Sequence, residues 1–84
     1  MTNLNLFKDF LDTLAGESDE RLIERFNREV GNRGWTSTRG AYLAAIHAEF
    51  DRRDFDYSLI GNEQALSYRY LVRLEAKRVV PWWN

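Results

Sequence analysis

Apolar side chains recur along this chain at two spacings, and the change from one to the other divides it. Leu4, Phe7, Leu11 and Leu14 stand three, four and three positions apart, with Phe10 alongside. That spacing predicts a helix over 4–15 with one apolar face. Asn3 is placed to cap it and Gly16 to stop it. A second helix is expected over 19–30. Ser18 precedes it as N-cap, and Asp19 and Glu20 fall where the helix dipole favours negative charge. Leu22, Ile23, Phe26 and Val30 form its stripe, and Gly31 ends it. A third helix is expected over 37–53, with Tyr42, Leu43, Ile46 and Phe50 at helical spacing. Its alanines at 41, 44, 45 and 48 favour helix and let neighbours approach closely, which places this element at the centre of a bundle.

Beyond residue 53 the period changes. "DFDYSLIGNE" reads as an ordered loop anchored by Phe55, Tyr57, Leu59 and Ile60. Leu66, Tyr68, Tyr70, Val72 and Leu74 then alternate with Ser67, Arg69, Arg73 and Glu75, and only Leu71 breaks the polar set. This alternation predicts a β-hairpin with strands over 67–74 and 78–83. Its turn, near 75–77, lacks the usual Asn-Gly or Asp-Gly. The capping signals point to an alternative, a fourth helix over 63–79: Asn62 and Glu63 at its start, Lys77 and Arg78 near its end, Pro81 beyond. The expected fold class is α+β, mainly α: a three-helix bundle followed by the hairpin, in a single domain. The alternative is all-α.

Composition narrows the chemistry. Eighty-four residues suit one domain, and a 44% hydrophobic fraction is enough for a core. The absence of cysteine leaves packing alone to hold the fold and suits a cytoplasmic setting. "MTNLNLFKDF" has no basic stretch followed by an apolar run, so no signal peptide is expected. No apolar segment approaches the ~20 residues of a membrane span, and no membrane partner is expected.

The net charge of -1 conceals an asymmetry. Residues 1–64 carry eight basic and twelve acidic side chains; residues 65–84 carry four basic ones against Glu75 alone. Either the basic end docks on acidic helices of its own chain, or it presents a basic edge to a partner.

"GNRGWTSTRG" is the densest local signal. Gly31 and Gly34 suit a chain reversal, and Thr36 or Ser37 suits a helix cap. Gly40, one turn into the helix, leaves room for the Trp35 indole against the backbone. Arg33 and Arg39 are left over. With Trp35, Thr36 and Ser37 they make a candidate anion or loop site at a helix N-terminus. Neither phosphate-loop nor dinucleotide fingerprints accompany them.

Two further resemblances fail. Asp54, Asp56 and Ser58 stand at the first, third and fifth positions of a calcium loop, but Leu59 replaces its glycine and Ala65 its final glutamate. Asp54 and Asp56 are expected to cap turns or to pair with Arg52 and Arg53. His47, the sole histidine, is expected at the core edge; a metal site needs several such ligands, so no metal and no cofactor is expected.

The tail "PWWN" carries more weight. Neighbouring strand residues face opposite sides, so Trp82 and Trp83 are expected to split, one covering a second surface. With Tyr68 and Tyr70 they form the candidate protein interface. A two-stranded ribbon is marginal alone and invites strands from a second copy, which points to a homodimer. The leading expectation is therefore a small, self-associating, non-catalytic interaction module. The alternative is a winged-helix-like nucleic-acid binder using Arg69, Arg73, Lys77 and Arg78 on the ribbon. Against it stands a third helix of alanines and Glu49, poor in base-reading side chains. A lone histidine among scattered carboxylates puts an enzyme third.

Overall fold

Three helices and a hairpin follow in the expected order: α1 (Asn3–Ala15), α2 (Asp19–Arg28), α3 (Ser37–Arg52), β1 (Val72–Glu75) and β2 (Arg78–Pro81). The computed structural model describes residues 3–84, with side chains from residue 5 onward. The expected side-chain roles of Asn3 and Leu4 lie outside those described. The class is α+β, mainly α, and the fourth helix over 63–79 does not form.

Local chemistry sets the helix starts. Ser18 accepts the Arg21 N–H at 3.2 Å, and Thr36 accepts the Arg39 N–H at 3.0 Å. Gly31, just past α2, takes φ 81°, the left-handed conformation that glycine adopts without cost. The middle helix of the fold is α3: from Ala41 to Phe50 only Ala44 is exposed. It lies along α1, while α2 lies against β1. Leu14, Leu22, Phe26, Ile46, Phe50 and Val79 form the fully enclosed centre of one continuous core. Phe50 meets Phe26, Phe55 and Tyr57 at ring separations of 5.5–6.3 Å.

A charged knot ties the helices end to end. Glu49 on α3 is 1% exposed. Arg52 holds it bidentately at 2.9 and 2.5 Å, and Arg53 Nε donates to it at 2.6 Å. The other two nitrogens of Arg53 reach across the bundle. Nη1 donates to Asp19 at 2.8 Å; Nη2 donates to the Leu14 and Glu17 carbonyls at 2.9 and 2.8 Å. One guanidinium thus closes the C-terminus of α1, meets the first residue of α2 and neutralises α3. The Arg52 hydrogen bonds, with those of Arg53, hold the Glu49 carboxyl below its ordinary range despite burial.

The first strand starts at Val72 rather than 67, so residues 62–71 are mostly irregular. Side-chain alternation there reflects packing, with Tyr68 turned inward on Phe26. Within the hairpin, Arg73 pairs with Val80 and Glu75 with Arg78. Ala76 makes the turn at φ 56°, doing with an alanine what glycine or asparagine usually does.

Both outer edges of this ribbon are attended by its own chain. Asn27 on α2 imitates a strand: its Nδ2 donates to the Val72 carbonyl at 2.9 Å, and its Oδ1 accepts the Val72 N–H at 2.8 Å. On the other side the Asp56 backbone donates to Lys77 and accepts from Val79, both at 2.8 Å. Pro81 has no N–H to offer. Asn27 and Asp56 thus cover part of each edge, which weakens the argument for a dimer built by strand addition.

Glu49→Gln should destabilise the fold by about 3 kcal/mol, because the buried Arg53 then keeps only the half-exposed Asp19 as counter-charge. Since the folded pKa of Glu49 lies below its unfolded value of about 4.3, the stabilisation is complete above that pH and is lost as pH falls through the lower folded value. Melting temperature should hold steady from pH 7 to 5 and drop below about 4.5, less steeply in the variant. In urea, Asn27→Ala should cost about 1–3 kcal/mol by leaving the Val72 groups unpaired.

Candidate functional site

The described surface offers three features with chemical character: an aromatic patch, an apolar groove and an acidic hollow.

The patch follows from how β2 ends. Pro81 closes the strand, the Trp82 N–H donates to the Leu71 carbonyl at 3.0 Å, and the Asn84 N–H turns back on the Pro81 carbonyl. Strand alternation therefore stops before the tryptophans. Instead of splitting, the two indoles lie together, edge to face at 5.7 Å, and Trp83 meets Tyr70 edge to face at 4.7 Å. Trp82 is 61% exposed, Trp83 54%, Leu71 49% and Tyr70 47%. Taking ~150–250 Å² for each aromatic side chain, the bare area comes to roughly 300–500 Å², the size at which an apolar patch on a small protein usually serves a contact. Tyr68 does not join it. That ring stacks on Phe26 at 4.2 Å, and burial pushes its hydroxyl well above the ordinary phenol range.

The groove, about 540 Å³, runs between α1, the α2–α3 loop, α3 and residues 64–68. Phe7, Trp35, Leu43, Ala44 and Leu66 give it apolar walls, and Asp51 stands at its rim. Trp35 is 71% exposed and rests on Gly40, as the sequence suggested; a β-carbon at Gly40 would lie 2.5 Å from the ring. Two other lining residues carry buried polar atoms without a hydrogen-bond partner, His47 Nε2 and Tyr68 Oη. His47 is half-buried and meets the Tyr57 ring edge to face at 5.1 Å.

The hollow beside it, about 650 Å³, is lined by Asp51, Asp54, Asp56 and Glu63. Asp56 caps its own turn by accepting from Ser58, which, led by the hydroxyl, lowers its pKa. Tyr57 donates to Asp51 at 2.5 Å, a bond that pushes the phenol up to about 12. Neither Arg52 nor Arg53 pairs with these aspartates; both are drawn to Glu49.

The expected anion site is largely consumed by the fold. Arg39 Nε donates to Glu29 at 2.8 Å, and its other nitrogens bind the Gly34 and Glu29 carbonyls, fastening the α2–α3 loop. Thr36 is occupied as the cap and Ser37 opens the helix. Trp35 belongs to the groove. Among the described residues, the Arg33 side chain makes no ion pair or hydrogen bond.

The basic ribbon is divided. Arg73 is held by Glu75 and the Asn84 carbonyl, and Arg78 faces Asp56 at 3.8 Å. Arg69 lies over the Tyr70 ring at 5.6 Å, beside the patch, and Lys77 is exposed in the hairpin turn. Among the described residues, no cluster of three metal-ligating side chains occurs and no helix is long and apolar enough to cross a membrane.

Asn27, the Arg39–Glu29 pair and the orphaned Tyr68 hydroxyl had no signal in the sequence. The first two depend on partners 45 and 10 residues away, and the third on the stacking of Tyr68 against the distant Phe26. Compared with family models, curated proteins and solved structures, the chain matches none.

Gly40→Ala should expel the Trp35 indole while leaving the fold intact. Helix propensity gains about 1 kcal/mol and little burial is lost, so the melting temperature should hold or rise. In ¹H–¹⁵N spectra the Trp35 indole signal should move, with those of Trp82 and Trp83 in place.

Proposed function

We propose that this protein is a small, non-catalytic interaction module that associates with itself through its C-terminal aromatic patch. The observation that carries this reading is the exposure of Trp82, Trp83, Tyr70 and Leu71 in one mutually packed cluster. Tryptophan and tyrosine dominate contact energetics because they bury much area while freezing few torsions. Here the rings already brace one another edge to face, so little further order is lost on contact.

Several charged side chains that reaction chemistry would draw on are otherwise engaged. Glu49 with Arg53, Glu17 with Arg25, and Glu29 with Arg39 all serve as structural pairs. A second copy is the partner that this reading names, and a two-fold pair is the commonest assembly. A cysteine-free chain suits a cytoplasmic setting for it.

Sedimentation from 5 to 500 µM should show reversible association of the parent protein. The double variant Trp82→Ser/Trp83→Ser should weaken it at least about tenfold. A parent that stays monomeric across that range refutes the reading.

A further inference from the structure

The patch and the groove share no residue, and they differ in charge. Arg69 lies against the patch, in the chain's basic end. Asp51 stands at the groove and also lines the acidic hollow next to it. Two patches pressed together across a two-fold axis would set Arg69 near Arg69, and like charges oppose such a contact. Patch against groove brings opposite charges together instead.

Size and chemistry agree with this pairing. The patch offers roughly half of the ~800 Å² that a standard interface takes from each partner, so a flat contact between patches alone falls short. A groove of about 540 Å³ with apolar walls admits an indole and wraps it, adding area on both sides. The groove also holds what an indole lacks in water-free surroundings. Trp brings a single N–H donor, and two lining residues carry polar atoms without a partner, His47 Nε2 and Tyr68 Oη. Trp35, mostly exposed, is the wall placed to shift and admit the incoming ring.

We propose that the Trp82–Trp83 knob of one copy seats in the Trp35–His47 groove of the next, in a head-to-tail contact. This rests on the self-association reading above. A contact between two different surfaces either closes reciprocally as a two-fold pair, each knob in the other copy's groove, or leaves a knob and a groove unfilled and continues to a ring or filament.

Complementation tests it. Ala44 is exposed and lines the groove, so Ala44→Arg fills the groove and adds repelling charge at little cost to folding. Sedimentation should show the parent associating, as a dimer or beyond, as concentration rises. Ala44→Arg alone and Trp82→Ser/Trp83→Ser alone should each be monomeric. Their equimolar mixture should form a 1:1 heterodimer that grows no further, because one intact knob meets one intact groove. Circular dichroism should overlay for all three, and Trp82→Gln replaces the double variant should that one lose its fold.

A parent that associates while Ala44→Arg does so equally well overturns the head-to-tail contact and leaves the self-association reading standing. Two monomeric variants whose mixture stays monomeric also overturn it, since an intact knob then meets an intact groove without binding. A monomeric parent removes both readings together. His47→Leu should weaken association about fivefold through the lost polar atom; an unchanged affinity takes His47 out of the contact.

Discussion

Everything in this fold hangs from the buried charge on Glu49. A carboxylate withdrawn from water is costly, and the cost is tolerable only where hydrogen bonds meet it from several sides. Arg52 and Arg53 supply them, and in doing so Arg53 is brought to the junction of all three helices. Its remaining nitrogens then satisfy carbonyls that the end of α1 and the following turn would leave bare. The pairing is thus less a source of stability than a source of uniqueness. Apolar side chains tolerate several helix arrangements; a fan of four directed bonds from one guanidinium tolerates one.

A second layer of order comes from side chains acting as backbone. Asn27 takes the place of a strand along β1, and the Asp56 peptide takes the place of one along β2. A two-stranded ribbon that would be marginal in isolation becomes part of the domain without further strands. Its edges are partly covered, while its end carries bare apolar surface, which sets the patch apart as the place where the molecule is unfinished.

Local signals were legible and distant ones were not. Ser18 and Thr36 announce their helices because a cap acts within three residues. The hairpin was legible from its alternation, and Trp35 against Gly40 from the four-residue geometry of a helix start. The start of β1 was misplaced by five residues, because Tyr68 alternates with its neighbours while answering to Phe26 rather than to a strand partner. The tryptophans were expected to part because β2 was drawn two residues too long; Pro81, lacking an N–H, marks where it stops. Glu49 reads in sequence as a solvent-facing charge on an alanine-rich helix, and only the convergence of three helix ends shows otherwise. Arg39 reads as free cation, and only the folded loop reveals Glu29 beside it.

The Asn27–Val72 clasp has a temporal consequence. Forty-five residues separate its halves. At about 5–20 residues per second on a ribosome, roughly 2–9 s pass between the making of α2 and the arrival of the strand that it holds. During that delay the face of α2 meant for β1 has no cover, and the apolar side chains of the last segment do not yet exist to supply it. The nascent bundle therefore stays open along α2 until the hairpin has been added.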